Sequence, residues 1–133
     1  MQVYTYDMLI CTDIVISFNG VSKVLKNVAV DTGAAQSILN SRFVEDIGIV
    51  PSTSDKVLKT RGVGGEMKFF CKTIDKIRIG NIILENHEMD FGNIDPNGEI
   101  FGLIGMDILK EIRAVIDVEI PSIGLKDHKW ILK

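Results

Sequence analysis

Two apolar-rich runs, Leu9 to Phe18 and Val21 to Val30, meet at Asn19-Gly20. No other feature limits the fold as much. Asn-Gly between apolar runs is the strongest short-range hairpin signal, because both turn residues must accept positive φ. The second arm closes on Val28-Ala29-Val30 and then turns into Asp31-Thr32-Gly33-Ala34-Ala35. Asp31 is the only acidic residue between Asp13 and Glu45. A charge where a buried strand ends needs a reason. One is an Asx-type turn, with Gly33 supplying an unusual backbone angle; the other is a carboxylate kept for chemistry.

The β-branched aliphatics extend the hairpin argument to the whole chain. Twenty Ile and twelve Val in 133 residues favour strands over helices. The length predicts a single domain over 1–133, with a core from about 9 to 120 and a C-terminal extension over 121–133. A net charge of −3 argues against a nucleic-acid partner held through its phosphates. No apolar run approaches the roughly 18 to 20 residues that span a bilayer, so no membrane partner is expected. The run from Met8 to Phe18 is interrupted by Asp13 and lacks a basic segment before it, unlike a signal peptide. Cys11 and Cys71 lie far apart in strand-like stretches and read as reduced, partly buried thiols. No Cys or His stands at metal-ligand spacing from another, and His87 and His128 are isolated, so neither metal nor cofactor is expected. Together these features point to a cytoplasmic protein.

Further along, Ser37-Ile38-Leu39 predicts a short strand. Asn40 then suits the N-cap of a short helix over Ser41 to Ile47, with Gly48 at C′ and Phe43, Val44 and Ile47 on its buried face. After the polar loop Pro51 to Asp55, Lys56 to Arg61 and Glu66 to Ile79 read as strands around Gly62-Val63-Gly64-Gly65. That tip is either a plain hairpin turn or a loop able to lie against another backbone. No Lys-Ser/Thr follows it, which disfavours a phosphate-binding loop. Ile82 to Leu84 and Glu88 to Phe91 read as two short strands, and Asp95-Pro96-Asn97-Gly98 as a turn. Ile100 to Ile104 is a buried strand broken by glycines, followed by helical spacing over Met106 to Ile112. Arg113 to Glu119 and Ile123 to Leu132 read as closing strands. The pattern is all-β: a small closed β structure with one or two short helices.

With these pieces in order, the chain resembles the retropepsin-like aspartic proteases, and more closely their cellular and bacterial branch. Three stretches carry the likeness: Val30-Asp31-Thr32-Gly33-Ala34 as catalytic loop, Arg61 to Glu66 as glycine-tipped flap, and Gly102-Leu103-Ile104-Gly105-Met106-Asp107-Ile108-Leu109 as the closing strand and helix. The resemblance implies a small barrel-like acid-protease fold assembled as a homodimer. Asp31 would be the catalytic residue, with Thr32 and Gly33 supporting the loop. Ala34, Gly62, Val63, Gly64 and Gly65 would bind substrate, and Val63, Leu103 and Ile104 would line side-chain pockets. Retroviral members carry an acid at the position of Ala35 and an Arg at that of Met106, which form an ion pair. Both are missing here, so the loop is expected to be braced by packing.

The chemistry needs two acids. Hydrolysing a peptide without metal or covalent intermediate requires a base for water and an acid for the substrate. Two adjacent carboxylates sharing one proton supply both, since like charges that close cannot both ionise cheaply. The chain has one Asp-Thr-Gly; Asp13, Asp90, Asp95 and Asp107 lack the hydroxyl and glycine that would make a second. A C2 homodimer placing two copies of Asp31 on its axis is the economical answer. The expected function is therefore an aspartic endopeptidase acting on extended polypeptide. The alternative is a retropepsin-fold module that dimerises or binds peptides without turnover.

Overall fold

The structure is a computed structural model that describes residues 3–6, 8–62, 65–119, 122–125 and 128–131; for 60–62, 65, 66, 122–125 and 128–131 it describes the backbone alone. The Asn-Gly hairpin forms as predicted. Strands β2 (Leu9–Phe18) and β3 (Val21–Val30) pair antiparallel, with Asn19 at φ 49° and Gly20 at φ 80°. Past Asp13 the alternation puts Ile14 and Ile16 inward, against Leu25 and Val28 of β3. Each such side chain contributes about 1.5–3 kcal/mol by leaving water. Asp13 itself marks a register shift between Thr12 and Ile14, with Asn27 opposite at φ 52°.

That shift is held by β1 (Val3–Tyr6), a strand the sequence did not announce. It pairs along β2 and brings Tyr4 to the bulge. The Tyr4 hydroxyl donates to Asp13 Oδ1 at 2.6 Å and accepts the Asn27 N–H at 2.7 Å. Burial, reinforced by the bond to Asp13, holds this phenol protonated well above its ordinary range.

Beyond β3 come β4 (Ile38–Asn40), β5 (Val57–Gly62), β6 (Gly65–Ile79), β7 (Ile82–Gly92) and β8 (Gly102–Ile104). Their pairings close a ring. β3 lies parallel to β8, β8 antiparallel to β4, and β4 parallel to β7; β7 is antiparallel to β6, which returns antiparallel to β2. The core fills this ring with Ile74, Ile77, Ile79, Met89 and Phe91 from its far side. β5 pairs only with β6, so the β5–β6 hairpin projects from the ring. Helix α1 (Met106–Glu111) follows β8 and buries Ile108 and Leu109. A separate three-stranded sheet, β9 (Val115–Asp117), β10 (Ser122–Leu125) and β11 (His128–Ile131), ends the described chain.

Several local expectations are corrected. Residues 41–47 form two 3-10 turns, Ser41–Phe43 and Glu45–Ile47, and Asn40 makes no cap. Its amide is buried and donates instead to the carbonyls of Ile94 (2.6 Å) and Ile100 (3.1 Å), a tertiary demand that outweighs capping. Gly48 does terminate the second turn, at φ 85°. The two strands expected within 82–91 are one, because β6 is long enough to carry β7 in a single register past the polar Glu85-Asn86-His87. The stretch Ile123 to Leu132 is two strands, with Leu125 paired to His128. The strand expected over Arg113 to Glu119 is shortened to Val115–Asp117, since Arg113 turns at φ 55°. Among the described residues no helix is long and apolar enough to cross a membrane.

Cys11 and Cys71 are free and buried. Burial, with Asp13 nearby, pushes the Cys11 thiol up to about 11. Burial pushes Cys71 to about 12, and Asp90, which accepts its S–H at 2.8 Å, adds to the effect. Only about 10⁻³ and 10⁻⁴ of these thiols are thiolate at pH 8, so iodoacetamide is expected to spare the native chain and label both in urea. Unfolding returns both thiols to an ordinary value of 9.0, so the unfolded state releases protons first as pH rises. Stability is accordingly full below about pH 9 and declines toward pH 11–12, which urea midpoints across that range would read.

Candidate active site

Asp31 follows directly on β3, whose parallel pairing with β8 sets Val30 beside Ile104. The ladder extends one step further: Asp31 N–H donates to Ile104 O at 2.9 Å. The chain then turns. Gly33 N–H donates to Asp31 Oδ1 at 2.9 Å, and Ala34 N–H to Asp31 O at 3.2 Å. This is the Asx-type turn admitted by the sequence, yet Gly33 is not in the left-handed region. Its constraint is space, since a Cβ there would lie 3.2 Å from Asp31 Oδ1. The Asp31 residue is half-buried while Thr32 and Gly33 are exposed. A carboxylate with one oxygen tied to an amide, at the mouth of an apolar ring, is oriented and still reachable.

The loop from Ala34 to Ser37 lies on the start of α1. Met106 N–H donates to Ala34 O at 2.8 Å and Asp107 N–H to Ala35 O at 3.2 Å. Ser37 is buried; its N–H and hydroxyl both donate to Asp107 Oδ1, at 2.8 and 2.6 Å. Gly105 N–H in turn donates to Ser37 Oγ at 2.8 Å. Close packing against Gly105, where a Cβ would stand 2.6 Å from Ala34 O, is one brace of the loop, and hydrogen bonds that the expectation did not include are the other. Without an ion pair between positions 35 and 106, backbone amides and the Ser37–Asp107 pair supply them. His87, isolated in sequence, brings Nε2 to 3.4 Å from Asp107 Oδ2. None of these partners was legible beforehand: Ser37 and Asp107 stand 70 residues apart and share no motif.

The remaining predicted residues divide. Gly62 and Gly65 pair as the last rung of the β5–β6 hairpin, while Val63 and Gly64 lie outside the described residues. Ala34 is half-buried beside Asp31. Leu103 is half-buried, and Ile104 is 3% exposed, within the core. A cavity of about 310 Å³ lies between Gln36, on the Asp31 loop, and Lys56 and Leu58 of the hairpin limb, with Cys71, Glu88 and Asp90 as its other walls. Sequence reasoning did not foresee it, because its walls come from four separate segments. At the foot of that limb Lys72 Nζ reaches Asp55 at 2.8 Å, and the ammonium holds the Asp55 carboxyl below the usual carboxylate range.

Comparison with known proteins accords with this geometry. A family model described as aspartyl protease matches residues 14–108. No curated protein matches the chain in sequence. Among solved structures, a retropepsin-like aspartic protease from Rickettsia conorii superposes with a TM-score of 0.64 at 23% identity, covering 86% of this chain and 88% of that one. The retroviral protease-like domain of Ddi1 from Leishmania major gives 0.62 at 20% identity, covering 97% of each chain. EIAV protease, solved with the inhibitor HBY-793, gives 0.60 at 22% identity, covering 86% of this chain and 99% of that one. The fold is that of the retropepsins.

Proposed function

Since this chain belongs to the aspartyl protease family, we propose that it is an aspartic endopeptidase whose active site forms between two copies of the chain. The observation that carries this reading is the setting of Asp31: one carboxylate, half-buried, oriented by Gly33 N–H, on a loop anchored to Ile104 and α1. The sequence holds no second Asp-Thr-Gly, so the partner acid comes from a second copy across a two-fold axis. Thr32, exposed in the single chain, is assigned the cross-axis contact that keeps the two loops coplanar.

The two Asp31 carboxylates share one proton. The ionised one takes a proton from a water molecule as that water attacks the scissile carbonyl, and the protonated one gives its proton to the carbonyl oxygen. As the C–N bond breaks, the carboxyl that took the water's proton gives it to the leaving nitrogen, and the other, now ionised, takes one back from a hydroxyl of the tetrahedral intermediate, so the pair again holds one proton. Substrate lies extended between the Asp31 loop and the hairpin ending in Gly62 and Gly65, making main-chain hydrogen bonds as an added strand does. Closure of that hairpin excludes water from the reacting atoms.

The dimer is tested by mixing. Equilibrium sedimentation is expected to show dimer at assay concentrations. Re-equilibrating wild type with equimolar Asp31→Asn is expected to leave about half the activity of the same wild-type input alone, because mixed dimers are dead. Full activity from a species that sediments only as monomer overturns the shared site.

A further inference from the structure

The Asp31 loop is tied to one short stretch of chain by a continuous path. Asp107 Oδ1 accepts both hydrogens of Ser37, the N–H and the hydroxyl. With its proton so committed, Ser37 Oγ can only accept from Gly105 N–H, at 2.8 Å. Gly105 follows Ile104, whose carbonyl takes the Asp31 N–H. Three residues therefore separate the Asp107 carboxylate from the backbone of Asp31. His87 Nε2 stands on the other carboxylate oxygen at 3.4 Å and limits its rotation.

We propose that Asp107 is a positioning residue for Asp31, acting through the Ser37 hydroxyl and Gly105, and that its acceptor oxygen rather than its charge does this. The proposal rests on the assignment of Asp31 as the catalytic acid. Ser37 is 1% exposed, so removal of Oδ1 leaves two buried donors unpaired, and only movement of the loop or of Gly105 can satisfy them. The backbone bonds Met106 N–H to Ala34 O and Asp107 N–H to Ala35 O survive such a change. The loop would stay folded yet lose its register, and a shift of about 1 Å at a reacting group costs about 10²-fold in rate. Asn at 107 keeps Oδ1 in place and offers an amide to His87.

The test compares Asp107→Leu, which keeps the branched shape without the acceptor, with Asp107→Asn. Active sites are counted by titration with a statine-type transition-state mimic, and amide hydrogen exchange is followed without substrate. For Asp107→Leu, kcat per titrated site is expected to fall about 10- to 100-fold with KM within about twofold. Exchange at Asp31, Ser37 and Gly105 should speed at least about tenfold. Asp107→Asn should stay within about threefold of wild type in both measures. If Asp107→Leu does not fold, Ser37→Ala removes the hydroxyl step alone and should still lower kcat and expose the Gly105 amide, with Ser37→Thr restoring both. A leucine or alanine variant with wild-type kcat and protection overturns the proposal, as does an asparagine variant as slow as leucine. Wild type that cleaves no peptide removes the role assigned to Asp31, while the exchange arm still decides the Asp107 path.

Discussion

Asp31→Asn is expected to lower kcat/KM by at least about 10³-fold while leaving the fold and the assembly unchanged. The magnitude follows from what the substitution removes. Each carboxylate of the proposed pair serves as base or acid in turn, and such groups contribute typically 10²–10⁴-fold. The structural neutrality follows from the local bonds. The oxygen that accepts Gly33 N–H exists equally in asparagine, and the bond from Asp31 N–H to Ile104 O involves only backbone. Circular dichroism, sedimentation and urea midpoint should thus match wild type, while digestion of a peptide library stops. Turnover within about tenfold of wild type would remove Asp31 from the chemistry. Retained peptide binding without wild-type turnover would point instead to a binding module.

Gly105→Ala is the substitution expected to cost most in stability, by about 2–3 kcal/mol, the upper part of the range for overpacking. For a chain of this size that is a fall of about 10 °C in Tm. Gly105 has φ −96° and ψ −171°, angles that alanine adopts freely, so backbone preference is not the issue. Space is. A Cβ would stand 2.6 Å from Ala34 O and 2.9 Å from both Gln36 C and Gln36 O, all main-chain atoms of the Asp31 loop. Relief requires that loop to move as a unit, so activity should fall with stability. Gly102→Ala makes the contrast: its closest conflict is the flexible Leu39 Cδ2 at 2.5 Å, with backbone no nearer than 3.0 Å. Thermal and urea unfolding of the two variants should rank Gly105→Ala as clearly the weaker. Equal midpoints would show that the loop is not wedged against position 105.

The legible elements were those with local causes. Asn19-Gly20 needs positive φ wherever it sits, and the alternation on each side needs a buried face, so β2 and β3 were readable to the residue. Helix α1 was readable from its spacing. Misreadings arose where a distant partner decided. Polar residues at 85–87 look like a break until the fifteen-residue β6 runs alongside them. Asn40 looks like a cap until the 94–100 segment offers two carbonyls to its amide. Tyr4 has no evident purpose until the bulge at Asp13 needs a hydroxyl.

The site divides along the same line. By itself, the sequence determined that an apolar hairpin strand ends in a single Asp-Thr-Gly, and that any two-carboxylate chemistry must draw its second acid from elsewhere. These are matters of composition and order, which local φ preferences and hydrophobic periodicity translate directly. Only the tertiary structure decided how that acid is held. Closing the ring puts β8 beside β3 and the start of α1 beneath the loop, so Gly105 and Asp107, which the sequence marks only as part of the closing strand and helix, become its closest supports. A buried donor takes whichever acceptor the fold delivers, and at Ser37 that acceptor comes from 70 residues away.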